Sequence, residues 1–300
     1  MNAREDWLQQ RRTGVGGSDA AAALGQSPHM TALELYHIKL GTPMAARDSD
    51  EERTDFGKAM ENVIAAQYAR RFEVRLRRKN AIVRHPKYPW MLANIDRLVE
   101  GERKGIEIKN VDSMAYRFND EWGEPGSDQI PTSYLLQVAH YQAVLGFEKW
   151  DLAACVGGNK LVVYHIVRDL ELEEMLIDGE HEFWQHVEKQ EPPDLDYRHA
   201  TAIPFLKRLY SGTNGETVHL PVEAETMHYA KLDFDEQEKL MKAGSDAARA
   251  RLLQMMGNAA VGILPHGGAY TRKIVERSAY EVEASKYIDF RFSKTKGAKA

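Results

Sequence analysis

The most constraining feature of this chain is a change of period near residue 73. From Phe56 to Phe72, Phe56, Met60, Val63 and Ile64 mark one side of a long amphipathic helix. From Val74 the repeat becomes two. Residues 74–83, 90–99 and 105–111 then read as three strands, joined by the turns HPKYP and EGERKG. A helix followed by three strands in close succession excludes an all-helical bundle and an all-β sandwich.

The flanks extend the alternation. Residues 4–12 predict a polar helix anchored by Trp7 and Leu8, broken by Gly14, Gly16 and Gly17. Ser18 is placed to cap a helix over DAAAAL, with Gly25 as its stop. Thr31 with Glu34 forms a capping box, and Gly41 ends that helix. Residues 42–53 read as a charged loop. Pro131 opens a helix that runs to Gly146, and residues 150–156 and 161–167 form a hairpin around GGNK. A long acidic helix follows and stops at Pro192. The fold class is therefore mixed α/β, a central mixed sheet flanked by helices. Residues 1–195 form one domain and 196–300 a C-terminal α+β appendage. Within the appendage, 195–220 reads as linker, 234–256 as a helix and 267–292 as short strands.

Composition narrows the chemistry. The 300 residues are 43% hydrophobic and 28% charged, with no apolar run near the ~18 residues of a membrane span and no apolar N-terminal leader. One cysteine, Cys155, excludes an internal disulfide, a zinc cluster and an iron–sulfur cluster. These features point to a cytoplasmic protein whose metal ligands, if it has any, are oxygen or imidazole. A net charge of -5 argues against indiscriminate polyanion binding. Charge is nevertheless segregated: residues 70–79 hold six basic residues and one acid, whereas 169–191 is acidic.

The chemistry-bearing residues cluster on the strands. Asp96 interrupts the apolar run MLANIDRLV, and burying a carboxylate without a partner is costly. Glu107 and Lys109, two apart in GIEIKN, share one strand face. A hairpin between residues 96 and 107 brings the two carboxylates together, which repel unless a cation lies between them. Mg²⁺ or Mn²⁺ suits such ligands and activates water against a phosphodiester. A solvated cross-strand ion pair is the plainer reading of Glu107 and Lys109 alone. Glu61 lies beside the apolar stripe of its helix and is a third candidate carboxylate. Gln137 and Tyr141, four apart, share a face of an otherwise apolar helix. The segment TGVGGSDAAAALG fails the dinucleotide-binding pattern, because position 19 is Asp and no strand precedes it. It remains a glycine turn at a helix start that can hold an anion beside Arg11 and Arg12. His85, His140 and His165 lack metal-ligand spacing and read as structural, and Trp7 and Trp122 read as core.

Taken in order, Trp7-x-x-x-Arg11, GGSDAAAALGQSP, GKAMEN, ANID, IEIK and QVAHY resemble the YqaJ-type viral recombinases over about residues 4–195. These are lambda-exonuclease-like members of the PD-(D/E)xK nuclease superfamily. The resemblance implies a restriction-endonuclease-like core and a deoxyribonuclease that degrades double-stranded DNA from the 5′ end. It assigns Asp96, Glu107, Glu61 and the carbonyl of Ile108 to two metal ions, Mg²⁺ or Mn²⁺. Lys109 becomes the catalytic lysine. Arg11, Ser18, Asn94 and Gln137 fall around the 5′-phosphate, with Gln137 also in the catalytic set. Asn94 stands where lambda exonuclease has serine, and Ile95 replaces the proline of the superfamily motif. The resemblance further implies a homotrimeric ring around the DNA and a single-strand annealing protein as partner. A restriction-type endonuclease and a non-catalytic scaffold that binds DNA ends are the competing readings.

Overall fold

The structure, a computed structural model, describes residues 3–47, 51–79 and 81–275. The chain divides between Ser211 and Gly212 into two compact units. The first opens with α1 (Ala3–Arg12), β1 (Val15–Gly16), α2 (Gly17–Ala23), α3 (Ala32–Leu40) and α4 (Glu51–Phe72). The strands β2 (Leu76–Arg77), β3 (Val83–Arg84), β4 (Met91–Ala93), β5 (Arg97–Val99) and β6 (Lys104–Val111) follow. After α5 (Ser113–Arg117) and α6 (Thr132–Leu145) come β7 (Lys149–Val156), β8 (Lys160–Val167), α7 (Leu170–Lys189) and α8 (Ala202–Leu209).

Five strands form a mixed sheet in the order β2-β5-β6-β7-β8. Only β6 and β7 run parallel, and the connection between them carries α5 and α6, the long crossover a parallel pair requires. A second sheet, β1-β4-β3, pairs β1 parallel to β4. That pairing sets the glycine turn at residues 14–17 alongside the strand that leads to Asp96. The helix α6 buries nearly its whole length, Leu136 to Val144, against the β4, β7 and β8 side chains. On the other side α4 packs Ile64, Ala65 and Tyr68 against Ile106, Ile108 and Ala153. The strands are thus covered on both faces, and the mixed α/β class expected from the period changes is the one observed.

Register explains one glycine. Gly105 lies opposite Trp150, which is fully buried, and a Cβ on Gly105 would come within 2.3 Å of the indole ring. Gly105→Ala is expected to cost about 1–3 kcal/mol through overpacking, read as a lowered urea midpoint at unchanged slope.

Several boundaries differ from the sequence reading. Residues 74–83 and 90–99 are not single strands. Each is split between the two sheets, β2 from β3 and β4 from β5. Ser18 is not a helix cap, because α2 begins at Gly17 with Gly16 at its N-cap. Thr31 does cap α3, accepting from the Glu34 amide at 3.1 Å, and Gly41 closes it in the left-handed region, but the capping box is only half formed because the Glu34 carboxylate pairs with Arg47 and Arg208. Residues 202–209, read as linker, form α8, with Phe205 fully buried and Arg208 hydrogen-bonded to the buried Glu34. The compact unit therefore runs past residue 195 to Ser211. The second unit carries α9 (Glu223–Met256) and a hairpin of β9 (Val261–Ile263) and β10 (Ala269–Thr271). The short strands expected beyond residue 275 lie outside the described residues.

Candidate active site

The break between β4 and β5 makes the site. After Ala93 the chain leaves one sheet, bends through residues 94–96 and joins the other at Arg97. This corner turns Asp96 toward β6, where its Oδ2 accepts the Ile108 amide at 2.9 Å. Ladder pairing between β5 and β6 ends at Arg97 and Ile106, so Ile108 has no strand partner on that side. A strand residue sends its N–H and C=O to the same neighbour. The Ile108 carbonyl therefore faces the same gap.

Glu107 points from β6 into the space between the sheet and α6. Its Oε1 accepts from Lys109 Nζ at 2.6 Å and from Gln137 Nε2 at 2.7 Å. Lys109 Nζ also donates to Gln137 Oε1 at 3.0 Å and lies 5.0 Å from the centre of the Tyr134 ring. Gln137 Nε2 donates to the Tyr141 hydroxyl at 3.0 Å, as the four-residue spacing on α6 predicts. Burial works against the Lys109 charge, but Glu107 outweighs it and holds the ammonium above its ordinary pKa. The Glu107 carboxylate thus favours the ammonium form of Lys109 over the neutral amine.

The acidic pair bears on metal binding. Burial, with the Glu107 charge beside it, pushes the Asp96 pKa up to about 8, against the Ile108 amide and Lys109, which lower it. Glu107 Oε2 is buried without a hydrogen-bond partner. An unsatisfied carboxylate oxygen beside a carboxyl that resists ionisation is a donor set that fits a hard cation. Among the described residues, no group of three or more His, Cys, Asp or Glu side chains forms a ready cage. Glu61 reaches the same cleft, and its charge acts on Asp96, but its Oε1 is paired with Arg97 Nη1 at 2.5 Å. Arg97 also holds Asn62 Oδ1 at 2.9 Å.

The raised Asp96 carries a pH signature. Between the ordinary carboxylate range and about 8, the folded state keeps a proton that the unfolded chain has lost. Stability from this group is therefore full below that window and falls as pH rises through it. Thermal midpoints in chelator should show the fall, and the difference between wild type and Asp96→Asn isolates it. Equal slopes for the two proteins would contradict the burial argument.

A second cluster lies at the glycine turn. Arg11 Nη2 donates to Ser18 Oγ at 2.8 Å and to Asp19 Oδ1 at 2.9 Å, and its guanidinium lies 5.0 Å from the Trp7 ring. Asp19 is buried. Its Oδ2 accepts from Lys39 Nζ at 2.6 Å and from the Gly16 amide at 3.0 Å. Burial alone would raise Asp19, and the Lys39 and Arg11 charges overcome it to hold the carboxylate ionised. Gly17 joins this cluster to the first, since a Cβ there would lie 2.4 Å from the Tyr141 ring. Asn94 is exposed on an open cleft of about 240 Å³ shared with Glu61, Asp96, Arg78 and Lys79.

The structure therefore brings Glu107, Lys109 and Gln137 into one hydrogen-bonded group beside Asp96, and Arg11 and Ser18 into another. Asn94 and Glu61 line the cleft. Sequence reasoning assigned no role to Asp19, Lys39 or Arg97, and their long-range pairings leave no local signal. His140 is structural: its ring nitrogens meet Glu180 Oε1 at 2.7 Å and the Leu92 carbonyl at 2.9 Å. Trp122 packs among Tyr116, Tyr134 and Tyr164.

The YqaJ-like viral recombinase domain matches residues 6–148, a span that contains every candidate residue above. Over 276 residues the chain is 34% identical to YqaJ of Bacillus subtilis (strain 168), a protein described only as uncharacterized. The alignment covers 91% of this chain and 84% of that protein. The chain belongs to the YqaJ-like viral recombinase family. Among solved structures, this family member is similar to LHK-Exo in complex with dAMP, with 19% identity and a TM-score of 0.51 over 68% of this chain and 96% of that one. It is also similar to the alkaline exonuclease LHK-Exo from Laribacter hongkongensis, with 19% identity and a TM-score of 0.50 over 62% and 93%. At that identity the likeness is one of fold. Among the described residues no helix of this YqaJ-like chain is long and apolar enough to cross a membrane.

Proposed function

We propose that this chain is a Mg²⁺-dependent exonuclease that degrades double-stranded DNA from 5′ to 3′ and leaves 3′ single-stranded tails for annealing in phage-type recombination. The observation that carries the reading is the convergence of Asp96, Glu107 and Lys109, with one Glu107 oxygen buried and unpartnered. Asp96, Glu107 and the Ile108 carbonyl would hold the cation, and Glu61 would complete a two-ion set where a cation displaces Arg97. Held by those residues, Mg²⁺, or Mn²⁺ in its place, would supply Lewis-acid polarisation of a phosphoryl oxygen and a more acidic water.

The chain's own residues do the rest. Lys109, held charged by Glu107, balances the charge that builds on the phosphorus oxygens. Gln137 fixes both Glu107 and Lys109 from α6, so the acid and the amine keep their separation during attack. Arg78 and Lys79, on the cleft that holds Asp96, contact the DNA backbone without reading sequence. Arg11 and Ser18 receive the terminal 5′-phosphate and set polarity. In this reading three copies would form a ring around the duplex, and an annealing protein would take up the product strand.

Digestion of end-labelled linear duplex, with and without Mg²⁺, tests this. Cleavage should require the cation, favour 5′-phosphate over 5′-hydroxyl ends and leave covalently closed plasmid intact. Arg11→Ala should slow 5′-phosphorylated ends by about 10–100-fold, with much less effect on 5′-hydroxyl ends. Cutting of the closed circle would turn the reading to an endonuclease, and no cleavage of any end would turn it to a scaffold.

A further inference from the structure

The helix α9 spans 34 residues, about 51 Å, and none of them is buried. Helices of this length are normally stabilised by packing one face. On α9, Met227, Phe234, Met241 and Met255 stand 65%, 67%, 76% and 80% exposed. With the exposed Ala248 they form a row repeating every seven residues. On a straight helix such a row drifts by about 20° per repeat, and it remains a seam only where two helices wind around each other. In the adjoining row, three residues on, the small Ala230 and Gly244 alternate with Gln237 and Arg251, leaving room for close approach beside Met227 and Met241.

Charge indicates which helix fits. Residues 223–238 carry Glu223, Glu225, Asp233, Asp235, Glu236 and Glu238 against Lys231. Residues 239–256 carry Lys239, Lys242, Arg249 and Arg251 against Asp246. Two parallel copies would set acidic half on acidic half and basic on basic. Two antiparallel copies set each acidic half on the other's basic half and cross at Met241. Met227 then meets Met255, and Phe234 meets Ala248.

We propose that α9 is a self-docking surface, pairing antiparallel with α9 of a second copy of this chain through the row from Met227 to Met255. The pairing is independent of the nuclease reading and joins copies two by two, whatever ring the first unit forms.

Sedimentation equilibrium of the full chain tests it. Phe234→Asp with Met241→Asp should halve the mass of the assembly while helicity by circular dichroism is retained. Asp233→Lys, Glu236→Lys and Glu238→Lys together should also halve it, as should Lys242→Glu, Arg249→Glu and Arg251→Glu together. An equimolar mixture of the two charge-reversed proteins should recover the wild-type mass, because each reversed half then meets an opposite charge. Wild type and the Asp variant sedimenting at one mass would overturn the proposal. A mixture that stays at half mass would overturn the antiparallel geometry.

Discussion

Lys109→Ala is expected to lower cleavage of linear duplex by about 10²–10⁴-fold while duplex binding at moderate salt changes little. The side chain supplies the one ammonium that donates to both Glu107 Oε1 and Gln137 Oε1, and the Glu107 charge keeps it protonated. Affinity for duplex rests on contacts to the phosphate backbone elsewhere, so binding and chemistry separate. Lys109→Arg should not restore the rate. A planar fork cannot take the position of a compact ammonium held at 2.6 Å from one oxygen and 3.0 Å from another. Gel-shift titration and single-turnover cleavage measure the two quantities. A variant that cleaves at the wild-type rate would remove Lys109 from the catalytic set.

The second large effect is on stability. Asp19→Ala is expected to cost about 3–5 kcal/mol, because it strands the Lys39 ammonium, whose side chain is only 2% exposed. The same change frees Arg11 from one of its two side-chain hydrogen bonds, leaving the Ser18 hydroxyl and the Trp7 ring to hold it. Urea unfolding gives the cost. Asp19→Ala combined with Lys39→Met should recover part of it, since no buried ammonium is then left uncompensated, while the Gly16 amide and one Arg11 donor still lose their acceptor. The double variant should still discriminate 5′-phosphate ends poorly, as Arg11 has lost its carboxylate anchor. A single-variant loss below about 1 kcal/mol would mean that the pair is better solvated than its burial indicates.

Both effects belong to parts of the molecule that were unequally legible in the chain. Glu107 and Lys109 could be placed together from the strand period, and Gln137 and Tyr141 from the helix period, because each pair shares one element. Thr31 and Gly41 were readable as the ends of α3, since capping is a local hydrogen-bond matter. Asp96 was conspicuous as a carboxylate in an apolar run. Its actual partner, the Ile108 amide, follows from a change of sheet within a stretch that reads as one strand. Ser18 looked like a cap, and serves instead as an acceptor for Arg11 seven residues earlier. The α8 segment looked like linker because Pro204 and the turn SGTNGE punctuate it; Phe205 buries fully and Arg208 reaches Glu34, 174 residues back.

The sequence by itself determined the type and order of the longer elements and the sets of side chains that share a face, because periodicity and capping depend on neighbours a few residues apart. Only the tertiary structure decided that the chain changes sheets at residues 94–96, that Asp19 pairs with Lys39 and that Arg97 engages Glu61. Those outcomes depend on which elements lie across from one another. Residue spacing records which side of a strand or helix is turned inward, and carries no information about what waits there.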